Sequence, residues 1–372
     1  MLYLDNSATT KIHPEVREVM LPYLLEEFGN PSSKYYNAAE NAKIAVDNSR
    51  KSVAKLIGCH SDEVIFTSGS TESNNMFLKG VAHYYSSKGK HIITSKVEHP
   101  SILETCNFLE KQGFDITYLP VDNFGRINIS ELVESLRNDT ILVSIMWGNN
   151  ELGSLNDIKT ISDICANHNI YFHTDATQVV GKIKIDLEDF KGITFLSCSS
   201  HKFHGPKGIG AAFIRQDEYR VLTPITPLLH GGGQEKEIRS GTLAVHNIVG
   251  LGKAAQIASN DLNLNIKNLK DCEKYLSELL STKFGANIKF NHDHKLKIPG
   301  ILSVQFKGIN NEILLKKLAP IIAASTGSAC SSSKPSHVLS AIGLTLDEIR
   351  STIRFSLSSY TKKEELDIFK SL

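Results

Sequence analysis

Short apolar runs alternate with amphipathic segments from about residue 50 to about residue 250. Strands that alternate with helices in this way are typical of an α/β domain built around a mostly parallel sheet. The runs that predict strands are 64–67, 91–94, 141–146, 170–173, 194–197 and 210–214, with helical patterns such as 157–167 between them. Parallel sheets bind ligands beyond the carboxyl ends of their strands, so the polar residues that follow each run are the first candidates for chemistry.

The pattern changes near residue 260, where a smaller α+β unit is predicted to begin. Its predicted elements are a long helix at 260–280, strands at 288–290 and 301–305, a helix at 311–318 and a final strand at 352–357. We therefore expect three parts, which are an N-terminal segment over residues 1–30 that packs with the small domain, a large domain over residues 31–258, and a small domain over residues 259–372.

The composition of the 372 residues is ordinary for a soluble globular protein, and it narrows the classes of partner. The 41 basic and 40 acidic residues give a formal charge of +1, so we expect no direct nucleic-acid partner and no attraction to a membrane surface. No apolar run approaches the roughly 20 residues that a membrane-spanning helix needs. The amino terminus lacks the basic start and long apolar core of a signal peptide, and a cytoplasmic location is therefore expected.

Asp175 ends one predicted strand, and Lys202 follows the next strand, 27 residues later. A lysine and a carboxylate placed in this way are the two groups that the binding of pyridoxal phosphate (PLP) requires. A lysine can hold the aldehyde as a Schiff base, and a carboxylate can keep the pyridine nitrogen protonated, which makes the ring an electron sink. Each residue alone has a plainer explanation, since an Asp at a strand end is often a helix cap and a lone Lys is usually a solvated surface charge.

Other predicted strand ends carry groups that such a cofactor would use. Gly69, Ser70 and Thr71 join a strand to a helix. Backbone N–H groups at a helix start suit a phosphate, although an ordinary helix cap has the same composition. His99 follows another strand and could stack on the pyridine ring or move protons, although a lone His is more often structural.

Two amide side chains follow further strands and could hydrogen-bond the ring hydroxyl of the cofactor. Asn150 lies in the sequence Asn149-Asn150-Glu151, for which a turn is the simpler interpretation. Gln178 lies three residues past Asp175 and could reach the same oxygen.

Arg354 is an arginine inside an apolar strand pattern, and it therefore needs a partner. A substrate carboxylate, held through two parallel hydrogen bonds, and a structural salt bridge are equally compatible with the sequence. A glycine-rich region at 231–242 also contains Arg239 and Thr242, which suit either a second phosphate contact or a flexible surface loop.

The six cysteines contain no C-x-x-C pair, so neither a metal site of the zinc type nor a disulfide framework is expected. Cys330 stands apart because the surrounding residues 325–335 are small, which predicts an exposed loop with an accessible thiol. The other five lie in apolar or helical surroundings and are predicted to be small core residues: Cys59, Cys106, Cys165, Cys198 and Cys272.

Ten motifs over nearly the whole length resemble those of the class V aminotransferase group of PLP fold type I. They are YLDNSATT (3–10), FGNPSS (28–33), TSGSTESNN (67–75), EHPS (98–101), NNELG (149–153), HTDATQ (173–178), SSHKFHGPKGIG (199–210), RSGT (239–242), GSACSS (327–332) and IRFSL (353–357). Within that group the sequence is similar to the NifS/IscS-type cysteine desulfurases. The resemblance implies the PLP-dependent transferase fold of type I, with a large domain on a mostly parallel sheet and a smaller α+β domain.

The resemblance also implies a role for each candidate residue. Lys202 would hold PLP and remove the α-proton of L-cysteine, and Cys330 would take the substrate sulfur as a persulfide while L-alanine is released. By the same resemblance, Asp175 would contact the pyridine nitrogen, Asn150 and Gln178 would contact the ring oxygen, and His99 would stack on the ring and take part in catalysis. The phosphate would be bound by Ser70, Thr71, Ser199 and His201. Thr242 would bind the phosphate of the neighbouring subunit's cofactor, and Arg354 would bind the substrate carboxylate. The role of Thr242 implies a homodimer.

Enzymes of this type pass sulfur to acceptor proteins, which include iron–sulfur scaffolds, tRNA thiolation proteins and DNA sulfur-modification proteins, and the sequence does not single one out. A selenocysteine lyase or another class V enzyme is an alternative, and so is a non-enzymatic scaffold in sulfur trafficking. The presence of both Lys202 and Cys330 argues against the scaffold, and GSAC in a serine-rich loop argues against an ordinary transaminase, which needs no thiol. The sequence departs from the usual pattern of these enzymes at three places. They are Tyr35-Tyr36, which would lie at a wall of the site, Glu237 in the glycine-rich region, and a rather short cysteine loop, which bears on the identity of the sulfur acceptor.

Overall fold

The computed structural model describes residues 1–327 and 335–371. Its α-helices are α1 (Pro14–Leu25), α2 (Asn37–Ile57), α3 (Ser70–Tyr84), α4 (Pro100–Glu110), α5 (Ile129–Glu134), α6 (Ile158–Asn167), α7 (Val245–Asn260), α8 (Leu262–Phe284), α9 (Asn311–Leu318), α10 (His337–Ala341) and α11 (Leu346–Ile349). Its strands are β1 (Leu2–Tyr3), β2 (Val64–Thr67), β3 (His91–Ser95), β4 (Asp115–Leu119), β5 (Thr140–Ser144), β6 (Tyr171–Asp175), β7 (Phe195–Ser199), β8 (Gly210–Ile214), β9 (Ile288–Phe290), β10 (Ile301–Phe306), β11 (Ile322–Ala323) and β12 (Thr352–Ser356). Short 3₁₀ segments are Ser61–Glu63, Leu187–Asp189, Ser200–Lys202, Glu235–Glu237, Gly285–Asn287 and Lys363–Lys370.

The large sheet has the strand order β2-β8-β7-β6-β5-β3-β4. The five adjacent strands β7, β6, β5, β3 and β4 run parallel to one another, whereas β8 runs antiparallel to both β7 and β2. Strands β5 and β7 are buried along their whole length, as expected for a parallel sheet that helices cover on both faces. The predicted α/β class with a mostly parallel sheet is therefore confirmed.

Helices form two separate cores against this sheet. Side chains of α2, α6 and α7 pack against one face, and side chains of α3 and α4 pack against the other. This layering leaves the two ends of the strands uncovered by core helices. The carboxyl ends of β3, β5, β6 and β7 consequently meet at one edge, where the loops that follow them can build a site.

The strands predicted in this sheet are present, with their ends within two residues of the expected positions. Strand β4 was not among the predicted strands. It lies at the edge of the sheet, so its five residues, Asp115–Leu119, are less apolar than the runs that predict the central strands. The helix expected at 260–280 is α8, which spans Leu262–Phe284. It begins two residues after the end of α7 at Asn260.

A smaller antiparallel sheet, β12-β10-β9, has its own core against α8. The start of the chain joins it, since β1 pairs in parallel with β11 and Leu4 is buried in the same core. Helix α1, in contrast, packs against α7 beside the large sheet. The division into residues 1–30, 31–258 and 259–372 stays a prediction. No helix of the described residues is long and apolar enough to cross a membrane.

Candidate active site

The candidate site lies where the parallel strands β6 and β7 end. Asp175 is the last residue of β6, and Ser199 is the last residue of β7, which leads directly into the 3₁₀ segment containing Lys202. Asp175 pairs with Ser197 across the two strands, so Asp175 and Ser199 lie at the same edge of the sheet. The acidic residue and the lysine that the sequence singles out are thus neighbours in the fold.

The carboxylate of Asp175 is 6% exposed and is held by donors on both oxygens. The side-chain amide of Asn74, on α3, donates to Oδ2 at 2.8 Å, and the backbone N–H of Thr177 donates to Oδ1 at 3.0 Å. These two donated hydrogen bonds fix the orientation of the carboxylate. Asn74 was missed by the sequence analysis, although its position in the polar run at 73–75 of an otherwise apolar helix face was a usable signal.

The Nζ of Lys202 lies against the start of the chain. It donates hydrogen bonds to the backbone oxygens of Ser7 at 2.6 Å and Ala8 at 2.8 Å. These carbonyls belong to the motif at 3–10, which thereby forms one wall around the lysine. Carbonyl oxygens fix the position of the amine without adding a competing charge.

A bare helix start lies next to Ser199. Gly69 precedes α3 with φ of +151°, and no side chain caps the first turn that Ser70 and Thr71 begin. A Cβ at Gly69 would lie 3.5 Å from the Ser199 hydroxyl, and one at Gly210 would lie 2.7 Å from the backbone of Gly69. The Ser or Thr side-chain cap that the sequence also allowed is therefore not formed at the start of α3. The N–H groups of its first turn are left without a side-chain acceptor, which suits the binding of a phosphate.

His201 follows this cradle and is a neutral hydrogen-bonding group. Its Nδ1 lies 3.1 Å from the hydroxyl of Thr9. Burial, together with the positive charges of Lys202, Lys207 and Lys182, lowers the pKa of His201 to about 4. At neutral pH the ring can thus offer a phosphate an N–H donor but no positive charge.

His99 has a structural role at this edge as well as a candidate one. It caps α4, because its Nδ1 accepts a hydrogen bond from the Ser101 backbone N–H at 3.1 Å and lies 2.8 Å from the Ser101 hydroxyl. Burial lowers the pKa of His99, Lys202 and His337 lower it further, and Asp175 raises it. The cap occupies Nδ1 and fixes the plane of the ring, which leaves the ring face for the stacking role predicted from sequence.

Gln178 is buried in the same corner, with both ends of its amide engaged. Its Nε2 donates to the backbone oxygen of Ser7 at 3.0 Å, and its Oε1 accepts from Lys182 Nζ at 3.1 Å. Burial and the nearby charges of Lys202 and Arg354 lower the pKa of Lys182 to about 7. Lys182 was not a sequence candidate, and its place in the glycine-lysine pair after the HTDATQ motif offered only a weak signal.

The Asn149-Asn150-Glu151 stretch forms the turn that its composition predicts. The side-chain oxygen of Asn149 accepts from the backbone N–H groups of Glu151 at 2.8 Å and Leu152 at 3.0 Å. Asn150 is partly buried, and its backbone oxygen accepts a hydrogen bond from Arg354 at 2.9 Å. The turn therefore links the end of β5 to the small sheet.

Arg354 lies inside β12 and is 2% exposed. Its Nη2 forms an ion pair with Asp5 at 2.7 Å, and its Nη1 donates to the backbone oxygen of Gly327 at 3.1 Å. The salt bridge that the sequence left open is thus present. Nε is buried and has no hydrogen-bond partner within the described ranges, so the predicted contact with a substrate carboxylate stays a prediction.

Comparison with known proteins identifies the family. The family model described as aminotransferase class V matches residues 2–369. The chain belongs to this family. The resemblance seen in the ten motifs is thus confirmed over nearly the full length.

Within the class V family the chain is a NifS/IscS-type member. It is 46% identical over 369 residues to the cysteine desulfurase IscS of Dictyoglomus turgidum, which covers 98% of this chain and 92% of that protein. A solved NifS-like protein superposes with a TM-score of 0.91 at 37% identity, covering 100% of this chain and 97% of the other. A second structure, described as SspA in complex with cysteine, superposes with a TM-score of 0.84 at 36% identity, covering 97% and 100%.

The glycine-rich region of this class V chain is more ordered than the flexible loop that was the alternative. Glu235 is 7% exposed, forms an ion pair with Arg50 at 2.6 Å and accepts a hydrogen bond from the backbone N–H of Phe66 at 2.7 Å. Arg239 pairs with Glu72 at 2.8 Å. Thr242 is exposed, and its contact with the cofactor of a second copy stays a prediction.

The described cysteines of this class V chain are poor nucleophiles. Burial raises the pKa of Cys165 and Cys198 to about 12, and it raises the pKa of Cys59, Cys106 and Cys272 as well. A thiol attacks as the thiolate, which these environments disfavour. Cys330, the predicted nucleophile, lies outside the described residues.

Proposed function

We propose that the chain is a PLP-dependent cysteine desulfurase that converts L-cysteine to L-alanine and carries the sulfur as a persulfide on Cys330. The observation that carries this proposal is the pairing of Asp175 and Lys202 at the ends of adjacent parallel strands, with the carboxylate held by two donors. Its relatives with nearly full-length similarity include a cysteine desulfurase, and a structural neighbour is described with cysteine.

The residues present suit PLP. Lys202 would hold the aldehyde carbon, and Asp175 would face the pyridine nitrogen, because it ends β6, the strand that pairs with the strand leading to Lys202. The start of α3 has no side-chain cap, so its backbone N–H groups are available to a phosphate dianion. The remaining assignments are His99 at the ring face, Asn150 and Gln178 at the ring oxygen, Ser70, Thr71, Ser199 and His201 at the phosphate, and Thr242 at the phosphate of a second subunit.

Bound PLP supplies an electron sink conjugated to the Cα of the amino acid, which is the chemistry that desulfuration needs. The chain supplies the other parts. Lys202 Nζ, oriented by the carbonyls of Ser7 and Ala8, can remove the α-proton and later return a proton. The Cys330 thiolate attacks the substrate sulfur, so that an S–S bond forms as the Cβ–S bond breaks, and the Cβ carbon leaves as the methyl group of alanine after taking up a proton.

A homodimer, a protein acceptor for the sulfur and a cytoplasmic location complete the proposal. Large apolar side chains are exposed in the segment after α1, where Phe28 is 88% and Tyr35 is 100% exposed, and such surface is typical of an interface. The exposed position of Thr242 suits a contact with a second copy. The IscS name of a relative favours an iron–sulfur scaffold as the acceptor over tRNA thiolation or DNA sulfur-modification proteins.

A single-turnover reaction with L-cysteine tests the activity. We expect one alanine per cofactor and one added sulfur on the peptide that contains Cys330, measured by mass spectrometry. The Cys330→Ala variant should retain the cofactor's visible absorbance and form no persulfide, whereas Lys202→Ala should lose that absorbance. Cys272→Ala, at a buried cysteine of the small core, is the matched control and should react normally. Persulfide or sulfide formation by Cys330→Ala at the normal rate would refute the assigned nucleophile.

A further inference from the structure

Glu151 is a buried carboxyl group for which the proposed chemistry has no use. It lies in the turn after β5 and is 4% exposed. The described residues on either side of the segment 328–334, which contains Cys330, both reach this one side chain. Glu151 thus lies between the two ends of the segment that carries the proposed nucleophile.

The first end of the segment is packed against Glu151. Gly327 has φ of +94°, which favours glycine, and a Cβ there would lie 2.8 Å from Glu151 Oε2. The backbone oxygen of Gly327 accepts a hydrogen bond from Arg354 at 3.1 Å. Ser325, two residues earlier, forms a bridge with Arg354 through both of its backbone polar groups. The chain therefore enters the segment from a fixed position.

The second end is hydrogen-bonded to the same carboxyl group. The hydroxyl of Ser336 donates to Glu151 Oε2 at 2.6 Å and accepts from the Leu339 backbone N–H at 3.0 Å, as the cap of α10. His337 Nε2 lies 2.9 Å from the backbone oxygen of Glu98. The chain leaves the segment from a position that is fixed on the loops of the large sheet.

Packing and charge support this arrangement. Side chains of α10 share a small core with Val97, Met146 and Leu152, which lie in the loops after β3 and β5. Burial raises the pKa of Glu151, while Ser336, Arg354 and His337 lower it. A carboxyl group is costly to bury, and its cost here is partly offset by the hydrogen bond from Ser336 and by the charges of Arg354 and His337.

We propose that Glu151 is a positioning residue that holds Ser336 and the start of α10 against the turn after β5 and thereby supports persulfide formation on Cys330, six residues earlier in the chain. The inference rests on the proposed function, because the persulfide forms on Cys330. Presentation of a nucleophile at a fixed distance raises the rate of its attack, so loss of this anchor should slow persulfide formation more than substrate binding.

Three variants separate positioning from a general loss of structure. Glu151→Ala removes the anchor, and Ser336→Ala removes one contact without altering the Asn149 turn. Glu151→Gln keeps an oxygen that can accept from Ser336 and should restore most of the rate. Glu63→Ala is the control, because Glu63 is equally buried at 3% exposure but precedes β2, at the opposite edge of the sheet.

Two measurements are made on the PLP-loaded protein. Hydrogen exchange at residues 336–341 reports the second end directly, and we expect faster exchange in Glu151→Ala and Ser336→Ala only. Single-turnover persulfide formation on Cys330 should slow by about tenfold or more in these variants, with the absorbance change on adding L-cysteine preserved and Glu151→Gln within about threefold of the parent.

The outcomes separate the two proposals. Unchanged exchange and unchanged persulfide formation in Ser336→Ala and Glu151→Ala would overturn the role of Glu151, as would a Glu151→Gln protein as slow as Glu151→Ala. If the parent protein itself forms no persulfide on Cys330 but exchange at 336–341 still depends on Glu151, then the proposed function fails while the anchoring contact stands.

Discussion

The two sheets contribute to the candidate site in different ways. The large sheet supplies Asp175 and Lys202 from strand ends and the turns beyond them, where backbone groups are at hand to serve as partners. The small sheet supplies Arg354 from within β12, between Ile353 and Phe355, which are fully buried. Both sheets draw partners from distant parts of the chain, since Asn74 contacts Asp175, the carbonyls of Ser7 and Ala8 contact Lys202, and Asp5 pairs with Arg354. The difference is that Arg354 lies between apolar neighbours inside a strand, so loss of its partner would leave a buried charge without compensation.

The largest expected effect lies on the large sheet. Asp175→Asn keeps the size of the side chain but removes the charge that would stabilise the protonated pyridine nitrogen and replaces one accepting oxygen with an NH2 group, so we expect turnover with L-cysteine to fall about 1000-fold. Asn74→Ala, which removes one donor to Asp175, should cost less. An Asp175→Asn enzyme with near-normal turnover would show that this edge does not hold the cofactor as proposed.

The second prediction concerns the buried pair on the small sheet. Arg354→Ala leaves Asp5 without its partner at 2.7 Å and two backbone oxygens without a donor. Breaking a buried pair in this way should lower the free energy of unfolding by roughly 3–4 kcal/mol, measured in urea. The double variant with Asp5→Ala should lose less than the sum of the single variants.

The same pair also tests the predicted substrate contact. If Arg354 binds the carboxylate of L-cysteine, then Arg354→Ala raises KM while Asp5→Ala does so far less. Equal KM values in the two variants would show that Arg354 stabilises the fold and does not bind the substrate carboxylate.

A buried histidine of the large sheet gives the third prediction, on pH. His173 is fully buried between the hydroxyls of Ser144 and Ser197, and burial lowers its pKa to about 4 against a small opposing effect of Asp175. Between about pH 6.5 and pH 4 the unfolded chain binds a proton that the folded chain does not, so stability falls as the pH falls and is complete above about pH 7. The loss from this group is about 3 kcal/mol at most.

Denaturant unfolding at pH 7.5, 6 and 5 measures this slope. His201 and His204, whose pKa values burial also lowers to about 4, act in the same direction. His173→Gln should therefore flatten the profile only in part. An unchanged slope in that variant would contradict the assignment to His173.

The smallest expected effect lies on the small domain, away from the site. Asn310 caps α9 by accepting hydrogen bonds from the backbone N–H groups of Glu312 at 3.0 Å and Ile313 at 3.2 Å. Asn310→Ala should lower the free energy of unfolding by about 1 kcal/mol and leave turnover unchanged. A turnover defect larger than the stability loss explains would mean that the two sheets are coupled more tightly than their separate cores indicate.

The positions of the large-sheet candidates at strand ends were predictable from sequence because their signals are local. Asp175 and Lys202 are recognisable from the apolar runs that precede them, and Gly69 from the turn that it permits. The partner of Arg354 was not predictable in the same way, since Asp5 lies 349 residues away and no periodic pattern connects the two. Asn74 and Glu151 were missed as partners for the same reason, because each acts across the fold on a residue from another element.

The first ten residues have a consequence for the order in which the protein matures. Their strand β1 pairs with Ile322–Ala323, and Asp5 forms an ion pair with Arg354. The carbonyl oxygens of Ser7 and Ala8 accept hydrogen bonds from Lys202. During synthesis these residues emerge long before residues 322–354, which contain the partners of β1 and Asp5. The large sheet can form while the wall around Lys202 is still open, so a competent site is among the last features to be completed, after the longest loop in the chain has closed.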